Sequence, residues 1–132
     1  MNWSPIQPPG ARPPAGAYSP AIRAGHYIFI SGQVPVDVRT GAIIGDDVVT
    51  QTDAVLDRIE LLLQAGGASL RDVVSVTAYL ADIGDWDEFN RVYGQRFEAP
   101  YPTRTTVGAQ LHGFLVEISA IAYVGGASGR EG

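Results

Sequence analysis

The sequence predicts an α+β fold, a two-layer sandwich in which two helices cover one face of a sheet of four to six strands. Three observations carry that expectation. Strand-like and helix-like stretches follow the order strand, strand, helix, strand, helix, strand, strand. Two helices can cover one sheet face but not both. The last strand-like run has apolar side chains on both parities, Val116, Ile118, Ala120 and Ala122 against Ile121 and Tyr123, so both of its faces seek cover. The other sheet face is then solvated or packed on another chain, and oligomerisation through the sheet is expected.

Each element has its own signals. Residues 1–15 read as an extended arm, because Pro5, Pro8, Pro9, Pro13 and Pro14 favour polyproline-like backbone and bring no N–H donors to a ladder. One domain spans 16–124. Residues 125–132 read as a frayed tail whose glycines lack the strand-to-helix setting of a phosphate loop. Residues 18–24 and 26–31 flank Gly25 as a first hairpin, the second run being rich in β-formers. Gly32, Pro35 and Thr40-Gly41 interrupt the pattern and leave room for a short extra pair through Ile43.

Asp46 or Asp47 can cap a helix whose apolar positions Val48, Thr52, Val55, Leu56, Ile59, Leu62 and Leu63 recur at three-four spacing. Gly66-Gly67 stops it. Ser69 and Asp72 form a small capping-box signature before a strand at 73–80. Asp85 and Glu88 open a second helix, which Pro100 closes. Its stripe of Trp86, Phe89, Tyr93 and Phe97 reads as a core face.

Composition narrows the chemistry. A chain of 132 residues with 45% hydrophobic content fits one domain that buries roughly two thirds of its unfolded surface. There is no cysteine, which excludes disulfides, thiolate metal sites and thiol nucleophiles and fits a reducing compartment. All nine basic residues are arginine, so neither a Schiff base nor a P-loop lysine is available. His26 and His112 lack metal-binding spacing and read as turn or surface residues. A net charge of −5 with dispersed arginines argues against a nucleic-acid partner. No signal segment or membrane-length apolar run is visible, so a soluble, cytoplasmic protein is expected.

Arg104 and Glu117 stand out, because each is a charge inside an alternating strand-like run. Such a charge costs several kcal/mol unless it is paired or functional. If 108–114 is a hairpin turn with a symmetric register about Leu111 and His112, then Arg104, Thr106, Glu117 and Ser119 share one face. Arg104 and Glu117 are then diagonal neighbours, either a cross-strand ion pair or the start of a site.

A dispersed set of motifs runs through the chain: Tyr18-Ser19-Pro20, Ser31-Gly32-Gln33-Val34-Pro35, Thr40-Gly41, Gln51-Thr52, Asp72-Val73-Val74, Asn90-x-x-Tyr93, Pro102-Thr103-Arg104-Thr105 and Val116-Glu117-Ile118. In these, over roughly residues 16–124, the chain resembles the Rid (reactive intermediate deaminase, YjgF-type) family. The resemblance implies a chorismate-mutase-like protomer and a homotrimer with a central β-barrel and three inter-subunit clefts. It also implies hydrolysis of reactive 2-imino and enamine acids to 2-oxo acids and ammonium, without a cofactor.

The resemblance further implies catalytic roles for Arg104, Glu117 and Tyr18, with Ser31, Gly32, Asn90 and Thr106 binding substrate. A planar guanidinium can grip a carboxylate bidentately, and a glutamate can hold a water and move its protons. The chain departs from the family pattern at Thr106, where cysteine is usual, which alters the pocket wall. The Pro-rich arm is long enough to reach a neighbouring cleft. Two other readings stay open: a pathway-specific deaminase of the aminomuconate or aminoacrylate type, and a non-catalytic trimer that binds carboxylates.

Overall fold

The computed structural model describes residues 2–125; the tail expected at 125–132 lies outside the described residues apart from Gly125. A mixed six-stranded sheet is built from β1 (Trp3–Ile6), β2 (Ala21–Ala24), β3 (Tyr27–Gln33), β4 (Val73–Leu80), β5 (Thr103–Gly108) and β6 (Val116–Tyr123). Their order is β1-β2-β3-β6-β4-β5. All neighbours are antiparallel except β4 and β5, which run parallel. Helices α1 (Val48–Ala65) and α2 (Trp86–Arg96) supply the crossovers that parallel strands need. The α+β two-layer expectation therefore holds.

Local chemistry explains most boundaries. Gly25, with φ 58°, turns β2 into β3 where a side chain would be strained. Asp47 Oδ1 accepts from the Thr50 N–H at 2.8 Å and caps α1. Gly66 N–H donates to the carbonyls of Leu62 and Leu63, and Gly67 turns the chain away at φ 82°. Asp85 precedes α2 and Glu88 sits in its first turn as expected, but the Asp85 side chain makes no cap hydrogen bond. Asp82 Oδ1 instead accepts from Gly84 N–H at 2.8 Å and opens the 3-10 turn Ile83–Asp85 that leads into α2. Arg96 then ties the helices together, 3.1 Å from Asp53 and 2.9 Å from Asp57.

The core lies between the helices and one sheet face. Ile28, Val116, Ile118 and Leu80 meet Val55, Leu56, Leu63 and Phe89, all fully buried. The opposite face carries Trp3, Tyr27, Phe29 and Val107, all exposed. Tyr27 and Tyr123 pack there with ring centroids 5.3 Å apart. Among the described residues, no helix is long and apolar enough to cross a membrane.

Two expectations are overturned. The arm does feed a ladder: Trp3–Ile6 pairs with β2, and Pro5 is tolerated because β1 is the sheet edge. More consequentially, β5 and β6 form no hairpin. Strand β4 lies between them, its end bonded on both sides: Ala109 N–H to Leu80 O at 2.9 Å and Ala81 N–H to Leu115 O at 3.0 Å. The apolar β6 takes the sheet centre and the polar β5 is driven to the edge.

The register then separates the two charges. Arg104 pairs with Val76 and Thr106 with Ala78, on the face that packs under the helices, whereas Glu117 pairs with Tyr79 on the open face. Arg104 and Glu117 are therefore neither diagonal neighbours nor on one face, and the same holds for Thr106 and Ser119.

Candidate functional site

A cleft of about 820 Å³ opens where β3 and β6 part company, and Tyr18, Ser31, Gly32, Arg58 and Glu117 line it. The parting follows from a register shift between Ile30 and Gln33, an extra-residue irregularity of the kind that re-aims side chains. Gly32 sits hard against Glu117: a Cβ at that position would collide with Oε2 and lie 2.9 Å from Cδ. Any larger residue at this position would therefore displace the Glu117 carboxylate. Among the described residues no donor reaches the half-buried Glu117 carboxylate.

Ser31 shapes the cleft mouth. Its hydroxyl donates to Ser19 O at 2.7 Å, and its N–H donates to Pro20 O at 2.9 Å. These two bonds hold the Tyr18-Ser19-Pro20 segment against β3, which leaves the Tyr18 ring 53% exposed over the cleft. The arm forms the far wall. Arg12 clamps it, N–H to Val38 O at 3.0 Å and Nη1 to Thr40 O at 2.7 Å, so the arm lies against its own chain's cleft.

Arg104 belongs to a second locus, on the edge strand beneath α2. Its guanidinium carbon lies 4.6 Å from the Tyr93 ring centroid, 5.4 Å from Phe89 and 5.5 Å from Trp86. Cation–π attraction of this kind contributes about 0.5–2 kcal/mol per contact. The stripe read as core is core in Phe89, Tyr93 and Phe97 while Trp86 is exposed, yet it is also the seat of this arginine. Burial pushes the Tyr93 phenol up to about 12, against the opposing charge of Arg104. Thr106 Oγ1 and the Tyr93 hydroxyl are buried without hydrogen-bond partners among the described residues.

The expected site residues thus fall into two groups. Tyr18, Ser31, Gly32 and Glu117 meet in the cleft. Arg104 and Thr106 lie apart from them, and Asn90 is exposed on α2, the helix that seats Arg104. Sequence reasoning missed Arg58 and Gln33. The signal was available: residues 51, 55, 58 and 62 share one helical stripe, and Gln51, Val55 and Leu62 on it are buried.

The family model described as Endoribonuclease L-PSP matches residues 9–124. A RutC family protein of Pyrococcus horikoshii is 45% identical over 112 residues, covering 83% of this chain and 89% of that one. The 2-iminobutanoate/2-iminopropanoate deaminase of Dermatophagoides farinae is 31% identical over 121 residues, 90% of this chain and 94% of its own. Among solved structures, E. coli TdcF with bound serine superposes with a TM-score of 0.83 at 34% identity, covering 91% of this chain and 98% of TdcF. The chain belongs to the L-PSP family, the Rid (YjgF/RutC) group, and has its fold.

Proposed function

We propose that the protein is a cofactor-independent hydrolytic deaminase of reactive 2-imino and enamine acids, acting as a cytoplasmic homotrimer whose clefts lie between subunits. The observation that carries this reading is the unpartnered Glu117 carboxylate pressed against Gly32, in a cleft it shares with Tyr18 and Ser31. Arg104 and Thr106 reach the opposite sheet face on an edge strand, so a second copy must bring its Arg104 to complete the site. The exposed aromatic face of the sheet supplies an apolar surface for that assembly.

In the completed site the guanidinium holds the substrate carboxylate bidentately and fixes the C=N carbon. Glu117 takes a proton as water adds to that carbon, then returns it to the nitrogen of the resulting carbinolamine. The C–N bond breaks as C=O forms and the hydroxyl proton passes to the departing ammonia, so the protonated imine and water leave as 2-oxo acid and ammonium. An enamine first gains a proton at carbon. No covalent intermediate is required.

The test is to generate 2-iminobutyrate with an amino-acid oxidase and follow its loss with and without the protein. Acceleration over the free reaction is expected, and none, for several side chains, would end the reading. The relative crystallised with serine favours one alternative, a trimer that binds carboxylates without turnover. Binding of 2-oxobutyrate with no acceleration would select it. The family description names an endoribonuclease, but a chain of charge −5 without lysine lacks the cationic surface that RNA requires.

A further inference from the structure

The cleft contains a guanidinium that the chemistry above leaves unused. Arg58 reaches in from α1 and lines the same cleft as Tyr18 and Glu117. Its Nε donates to Gln33 Oε1 at 3.1 Å and its Nη1 to Val36 O at 3.3 Å. Both acceptors are neutral, and among the described residues no carboxylate comes within ion-pair distance of it. Asp37, whose field Arg58 feels, has its Oδ1 accepting from the N–H groups of Arg39 and Thr40 at 2.8 and 2.9 Å.

The group is held in place. Gln33 is buried, and its amide donates to Ser31 O at 3.0 Å, so the oxygen that orients Arg58 is itself fixed to a cleft residue. A guanidinium has five N–H donors, and most of these remain free. Its partial burial disfavours its charge, against the opposing influence of Tyr18 and Asp37, so an anion entering the cleft would gain a charge-assisted partner. The cleft, at about 820 Å³, lies within the range of roughly 300–1,000 Å³ typical of ligand pockets and exceeds what a short monocarboxylate fills.

We infer that Arg58 is a specificity-determining residue that receives a second carboxylate, so that imino and enamine dicarboxylates are the preferred substrates of this site. The reaction rests on the deaminase reading above; the ligand class rests on the cleft. A donor-rich fork facing a second carboxylate changes the ratio of the two substrate classes by about 10- to 150-fold, the range of charge-assisted hydrogen bonds.

The test uses the full-length protein with 2-iminosuccinate and 2-iminobutyrate, each generated in situ by an amino-acid oxidase. The wild type is expected to favour iminosuccinate in kcat/KM by about tenfold or more. Arg58→Gln brings that ratio toward unity, mainly through KM. Equal losses on both substrates would assign Arg58 a merely structural role and overturn the inference, as would a wild type without preference. If neither imine is hydrolysed, the deaminase reading fails and calorimetric titration with oxaloacetate and 2-oxobutyrate decides. Tighter oxaloacetate binding, lost in Arg58→Gln, supports the second-carboxylate site; equal or absent binding of both overturns it.

Discussion

Replacing Gly32 by alanine probes the packing of the candidate site with a single methyl group. The new Cβ would lie 2.9 Å from Glu117 Cδ and closer still to Oε2, whereas ordinary contact begins at 3.4 Å. The carboxyl carbon must therefore retreat by about 0.5 Å and the oxygen by about an ångström, a displacement that costs roughly 10²-fold when reacting groups are aligned. Stability should change little, because the far end of a half-buried glutamate can swing away without opening the core. The assay is hydrolysis of oxidase-generated 2-iminobutyrate, paired with a thermal melt. A Gly32→Ala variant with a wild-type melting temperature and undiminished kcat would refute the assignment of Glu117 as the proton carrier, since a displaced carboxylate cannot aim water equally well.

Other outcomes follow from the same geometry. Arg104→Lys should lose about 10²-fold in kcat/KM with its fold retained, because an ammonium has neither the bidentate fork nor the breadth of a guanidinium over the Tyr93 ring; steady-state kinetics on the purified protein checks it. Leu56→Ala, in the fully buried face of α1, should cost about 2–5 kcal/mol in urea unfolding. Backbone hydrogen bonding at the cap of α1 lowers the Asp47 pKa below its ordinary 3.8. Its contribution is therefore present above that value and lost as pH falls through the lower folded pKa. Asp47→Ala should thus lower the melting temperature at neutral pH, with the gap to wild type closing in acid. RNA incubated with the protein should remain intact by gel electrophoresis.

How far the fold could be read depended on whether the information was local. Helix α1 was legible to within a residue because an aspartate cap, a three-four apolar stripe and a glycine pair all act within a turn of where they sit. Strand β4 came out at its observed bounds for the same reason, alternation between a capping box and a polar turn. Pairing is not local. Nothing between Gly108 and Leu115 announces that β4 intervenes, and a hairpin register drawn across that loop put Arg104 and Glu117 on one face when the sheet sets them on opposite ones. The cleft group Tyr18, Ser31, Gly32 and Glu117 was legible only as motifs; what brings them together is an irregularity in the β3–β6 ladder. Arg58 escaped notice because an arginine on a helix flank reads as solvated until the neighbouring loop is seen folding over it.

The central claim is that Arg104 of one copy completes the Glu117 cleft of another. Co-assembly of two variants tests it most directly. Arg104→Ala and Glu117→Gln, each expected to be inactive in the proposed trimer, are purified, unfolded, mixed in equal amounts and refolded together. In a cyclic assembly each interface joins different patches of adjacent subunits, so random mixing leaves roughly a quarter of the clefts with both residues intact. The account predicts recovery of about that fraction of wild-type deaminase activity on 2-iminobutyrate. A mixture as inactive as its two components, with mixed trimers demonstrated by mass spectrometry, would contradict it.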